Sequence, residues 1–148
     1  MRQAICFLAI LLCGSSLIAG EKQSMNPQLL SAFFDLWKDS GYGQNPDRIE
    51  RAEWILGSGS GSLEFRRWPT SGERNKEFWH GPIPQKTIAQ AHTHTVMADP
   101  KPSRKDVDLS RRIGVALYTI SGRGIWMVTP DGHIRQTADS RWYGEFEE

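Results

Sequence analysis

Beyond its first twenty residues the chain has no cysteine, because Cys6 and Cys13 are the two it contains. Residues 21–148 therefore offer no disulfide and no thiolate to ligate a metal. A fold built from that segment must be held by its own core, and its length suits one ordinary domain. A prevailing charge is missing too. Once Arg2 is set aside, 17 basic side chains remain against 17 acidic ones. No basic stripe points to nucleic acid, and there is no acidic tail. Nor is there a long hydrophobic run. The apolar stretch Ala4 to Leu12 is too short to span a membrane, and Gly14-Ser15-Ser16 breaks it. Internal repeats and linkers are also absent.

That short stretch has a recognisable layout. Arg2 gives a positive start, and Ile5, Phe7, Leu8, Ile10 and Leu11 make an apolar centre. Small residues lead to Ala19-Gly20, and the charged Glu21-Lys22 follows. This is the pattern of a secretory signal peptide. Residues 1–20 are read as that leader and 21–148 as an exported domain, periplasmic or secreted. No stable membrane insertion is expected after cleavage.

The remaining patterning predicts a mixed α/β domain. Asn26-Pro27 is a helix start, with asparagine as N-cap and proline at the first helical position. Leu29, Leu30, Phe33, Phe34, Leu36 and Trp37 then fall mostly on one side, and Gly41-Tyr42-Gly43 stops the helix. A shorter element is expected from Asn45-Pro46-Asp47 through Arg51. A hairpin follows, with Trp54-Ile55-Leu56 and Leu63 to Trp68 as strands and a flexible Gly57 to Gly61 loop. After an irregular segment from Pro69 to Pro84 comes a strand over Thr87 to Ala91 leading into histidines. A helix from about Arg104 to Ile113, strands over 115–120 and 124–128, the Pro130-Asp131-Gly132 turn and a last short strand complete the chain. Most of the six tryptophans are read as core, Trp79 and Trp126 among them. His80 and His133 are given no role.

The chemistry is concentrated in residues 92–106. His92 and His94 stand one residue apart on an extended segment, so their side chains project from one face. Asp106 follows a loop stiffened by Pro100 and Pro102. Two imidazoles and one carboxylate suit zinc, and three protein ligands with one open position characterise catalytic rather than structural sites. A simpler reading of the same residues exists. His-x-His can be a hydrogen-bonded pair, and Ser103-x-x-Asp106 has the form of a capping box for the next helix. The two readings are compatible.

These residues resemble the JAB/MPN metallopeptidases of JAMM type, whose pattern is an early-strand glutamate, then His-x-His, seven residues, and Ser-x-x-Asp. Here the matching positions are His92, His94, Ser103 and Asp106, and element order agrees from roughly Asp47 to Gly132. The Pro-Lys-Pro-Ser loop is similar to that of small exported bacterial relatives. Thr95 replaces a proline frequent after the second histidine, and residues 95–102 make the gap one residue longer. The resemblance implies a JAB/MPN-like domain holding Zn2+ through His92, His94 and Asp106. It implies hydrolysis of amide or isopeptide bonds, with Glu50 as general base and Ser103 supporting the oxyanion. Glu53 is the alternative base and Glu64 a third candidate. Export would make peptidoglycan peptides natural substrates. The other functional reading is a non-catalytic JAB-like module that binds a peptide or protein. A cupin-type barrel fits less well, since Lys86 stands where a glycine would be expected.

Overall fold

The computed structural model describes residues 25–47, 49–73 and 77–146, so the leader and both cysteines lie outside the described residues. Helix α1 spans Pro27–Asp39. Asn26 caps it, its side chain accepting a 2.8 Å hydrogen bond from the Gln28 N–H. The stripe expected from the spacing is there: Phe33, Leu36 and Trp37 are buried. Each such side chain stabilises the fold by roughly 1.5–3 kcal/mol relative to exposure. The helix ends at Ser40, whose hydroxyl donates to the Trp37 carbonyl at 2.6 Å. The turn beyond it places Gly43 at φ +68°, where an added Cβ would lie 2.5 Å from the Trp37 ring. Glycine thus lets the chain pass close beneath the indole. The Gly43 carbonyl then accepts from the Val96 N–H at 3.0 Å, so the end of α1 supports the backbone just after His94.

Strands β1 (Ala52–Gly57), β2 (Leu63–Arg67), β3 (Thr87–Thr93), β4 (Ala116–Ser121), β5 (Gly124–Val128) and β6 (Ile134–Ala138) form one sheet in the order β2-β1-β3-β4-β5-β6. All neighbouring pairs are antiparallel except β3 and β4. A parallel pair needs a crossover connection, and helix α2 (Arg104–Ile113) provides it. The sheet is therefore mixed, and the expected order of helix, hairpin, strand, helix and strands is the observed one.

The two helices cover opposite faces of the sheet. Ile55, Ala89, Ala91, Ile120 and Ile125 pack with Phe33, Leu36 and Trp37 of α1 in one core cluster. Residues of opposite parity, including Trp54, Gln90, His92 and Thr119, point the other way, toward α2. On that side the buried Ser110 of α2 donates to the Val115 carbonyl at 2.7 Å.

Two local expectations differ from the structure. Asn45–Arg51 is not a helix or strand among its described residues. The Asn45 side chain instead accepts from the Asp47 N–H at 2.8 Å, a local turn. Arg51 already belongs to the sheet's pairing: its N–H donates to Thr93 Oγ1 at 2.9 Å, and its carbonyl accepts from the Thr93 N–H at 2.9 Å. The loop read as flexible is closed on itself, with the Ser58 hydroxyl donating to the Ser62 carbonyl at 2.8 Å and meeting the Ser62 hydroxyl at 2.6 Å.

Candidate metal centre

The sheet register decides which side chains can meet. Ala52 lies opposite His92, and Glu53 opposite Ala91. Directly opposed residues share a face. Continuing that register through the Arg51–Thr93 hydrogen bonds puts Glu50 opposite His94, on the face that carries His92. Glu53 goes to the α1 face with Ala91. His94 stands one residue past β3 and is anchored by its N–H, which donates to the Ile120 carbonyl at 2.8 Å. The crossover then returns the chain so that Asp106, in the first turn of α2, meets the histidines at the end of β3.

The three predicted ligands converge. Their donor atoms all lie within 4.8 Å of one another. His92 Nε2 is 3.0 Å from His94 Nε2 and 3.6 Å from Asp106 Oδ1. Partners behind each ring fix which nitrogen faces inward. His94 Nδ1 lies 2.5 Å from the Asp99 carbonyl, which can only accept, so Nδ1 carries the proton. His92 Nδ1 lies 3.3 Å from Gln90 Oε1, while the Gln90 amide nitrogen is already donating to the Ala91 carbonyl. Both Nε2 atoms thus present lone pairs to each other. Two lone pairs at that distance repel unless a cation or proton lies between them, and a carboxylate oxygen completes the set. The donor chemistry and the supporting acceptors are those of a group that could hold a metal ion.

Asp106 serves two roles with its two oxygens. Oδ1 faces His92, and Oδ2 accepts from the Ser103 N–H at 2.6 Å. Ser103 Oγ accepts in turn from the Asp106 N–H at 3.3 Å, so the capping box is present alongside the ligand geometry. Ser103→Ala is expected to lower stability by about 1 kcal/mol through loss of the cap, read as a lower urea midpoint. An unchanged midpoint would mean that the Asp106–Ser103 backbone contact suffices alone.

Burial pushes the His92 ring down to about 4, although the Asp106 charge raises it; His94 adds to the lowering. Burial also acts on Asp106, upward, but His92, both groups of Ser103 and His94 outweigh it and hold the carboxyl below its ordinary value. Glu50 is raised to about 7, first by burial, then by the negative charges of Asp106 and Glu77. The strand register has already put Glu50 opposite His94, on the face of the histidines. Glu53 is also raised to about 7, again mainly by burial; Arg67 opposes the rise, and Asp35 and Asp39 of α1 add to it. It is 0% exposed, and its carboxylate is 3.2 Å from Arg67 Nε in a poorly directed contact. The two candidate glutamates thus stand on opposite faces, and Glu50 is the one near the histidines. Glu64 is exposed on β2 and paired with Arg66 at 3.1 Å.

Several contributors have little or no local sequence signal. Gln90 could have been found from strand alternation, since it lies two residues before His92. The connection to α2 hangs from three successive carbonyls: Ala98 is held by Arg123 and Pro100 by Thr119 Oγ1 at 2.8 Å, both distant in sequence, and Asp99 by the nearby His94 ring. Lys101 extends over the Trp126 ring, 5.2 Å from its centroid. The segment after β2 returns to the sheet through Trp79, which lies 5.9 Å from both Trp54 and Trp68. The same segment brings Glu77 to Arg51, next to Glu50. A separate cavity of about 680 Å³ opens on the α1 face, lined by Met25, Leu29, Tyr118 and Arg135. It shares no residue with the histidine cluster.

No family model matches the chain, and no curated protein matches it either. The geometry above and the motif spacing are therefore what bear on function.

Proposed function

We propose that the chain is an exported zinc-dependent hydrolase of amide or isopeptide bonds, built on a JAB/MPN-like domain, with cell-wall peptides as its natural substrates. The observation that carries this reading is the pair of inward-facing Nε2 atoms 3.0 Å apart beside Asp106. The mixed sheet and the crossover that joins His-x-His to Ser-x-x-Asp agree with it.

His92, His94 and Asp106 would hold the ion. A zinc ion there would supply Lewis acidity, polarising a carbonyl and bringing a water's pKa toward about 7. Glu50, on the same face, takes a proton from the attacking water and delivers it to the leaving amine. Its carboxyl already has an affinity for protons near neutrality, the range in which one group can accept and return a proton. Ser103, whose hydroxyl lies beside the Asp106 carboxylate, would turn its hydrogen toward the oxygen on which charge develops. Gln90 and the Asp99 carbonyl keep both rings turned inward.

A non-catalytic binding module remains the second reading, favoured by the capping box, whose hydrogen bonds need no ion. The first test is elemental analysis after zinc reconstitution. About one zinc per chain is expected, and none in the His92→Ala/His94→Ala variant. An absence of metal from the parent protein would sink the hydrolase reading. Metal retained by the double variant would put the site elsewhere.

A further inference from the structure

The cavity on the α1 face lies on the opposite side of the sheet from the histidine cluster, and the proposed hydrolysis uses none of it. Its volume of about 680 Å³ falls within the roughly 300–1,000 Å³ usual for small-molecule sites. Strand pairing builds its floor. Tyr118 lies opposite Met127, and Met127 opposite Arg135, so the three side chains share one face across β4, β5 and β6. Ala91, opposite Tyr118 on β3, belongs to the core beneath α1, which identifies that face. The start of α1 supplies a wall through Met25, Pro27 and Leu29. The Phe33 ring packs on Tyr118 at 5.1 Å and holds that side chain between helix and sheet.

Most polar groups of the lining are already engaged. The Gln136 amide donates to the Ala138 carbonyl at 3.2 Å, and the Thr137 hydroxyl to the Ile125 carbonyl at 3.2 Å. Asp139, the acid among the lining residues, is paired with Arg141 at 3.1 Å. Two groups are left over. The Tyr118 hydroxyl makes no hydrogen bond, and the Arg135 guanidinium no hydrogen bond or ion pair, with a described residue. Arg135 is exposed and Tyr118 half-buried, so a ligand can reach both from solvent. An uncompensated cation in this lining favours an anion, and the apolar wall favours a carbon skeleton attached to it. One guanidinium without a second cation suits a single negative charge rather than a phosphate dianion. Its forked donors match the two oxygens of a carboxylate, and a phenol adds one more donor. We propose that this cavity is a second binding site, taking a small ligand that joins an apolar body to a carboxylate held by Arg135 and Tyr118. A free monocarboxylic acid and the C-terminal end of a short peptide share that chemistry.

The test measures calorimetric dissociation constants on the chain without residues 1–20, using two matched pairs of probes. Hexanoate is compared with hexanamide, and acetyl-alanyl-leucine with its C-terminal amide. A carboxylate can also report the metal cluster, so the parent and the His92→Ala/His94→Ala variant are both titrated. In at least one pair the acid should bind roughly tenfold more tightly than the amide, the usual worth of a charge-assisted hydrogen bond. The preference should be equal in the two proteins. It should fall to about one in Arg135→Gln and shrink a few-fold in Tyr118→Phe, which keeps the ring against Phe33. A preference confined to the hexanoate pair assigns the site to free acids, and one confined to the peptide pair assigns it to chain ends. Failure of every probe to bind overturns the proposal, as does equal binding of acid and amide in both pairs. So does a preference that persists in Arg135→Gln, or one that the histidine variant abolishes. None of these outcomes depends on whether the chain is a hydrolase.

Discussion

Glu50→Gln is expected to leave about one zinc per chain in place while lowering the rate of amide cleavage by roughly 10²–10⁴-fold, the range typical of a lost general acid–base. Glutamine matches the shape of glutamate but cannot carry a proton from water to the leaving nitrogen. The three ligands and their supporting groups, Gln90 and the Asp99 carbonyl, are untouched by the change. Glu53→Gln should retain most activity, because Glu53 faces α1 with Ala91. The experiment therefore compares zinc content and turnover in both variants. Full activity in Glu50→Gln would remove it from the mechanism. Inactivity in Glu53→Gln with zinc retained and the fold intact would assign the base to the wrong face.

Glu53 has its effect on stability instead. Its carboxyl titrates near 7 in the folded protein against an ordinary 4.5, because burial outweighs the help of Arg67. The folded chain thus holds this proton more tightly than the unfolded one. The contribution is most favourable below about pH 4.5, declines as pH rises, and is fully lost above about 7. The difference corresponds to about 3 kcal/mol. Glu53→Gln, neutral throughout, should be more stable than the parent at pH 8 by about 1–3 kcal/mol. Near pH 4.5 the two should be alike. Glu50 titrates in the same range, so the quantity to follow is the difference between the two urea midpoints at each pH. A Glu53→Gln protein less stable than the parent at pH 8 would mean that the Arg67 contact outweighs the desolvation.

What was legible in the sequence had a local cause. The period-two placement of His92 and His94 needs only an extended backbone, and Ser103-x-x-Asp106 is a start signal for the helix that carries the third donor. The α1 stripe and its asparagine cap are local in the same sense. The choice between Glu50 and Glu53 was less accessible, since both become buried acids with similar proton affinity. It is the pairing of Arg51 with Thr93, forty-two positions away, that separates them by face. That pairing also stands where a shorter regular element was expected at Asn45–Arg51. The path of the segment after β2 depends on Trp79 meeting Trp54 and Trp68, a contact with no periodic signature, so Glu77 could not be found from spacing.

The carbonyls of Ala98, Asp99 and Pro100, each tied to a different part of the fold, have one more consequence. Together with the capping box, they arrange the donor groups through contacts made wholly between protein atoms. Metal affinity and folding are then largely separate quantities, unlike the case of a zinc finger, whose chain collapses only around its ion. If the proposed site holds an ion, the chain would reach its native shape first and acquire that ion afterwards. A chelator is then expected to remove the proposed activity while leaving the urea midpoint nearly unchanged.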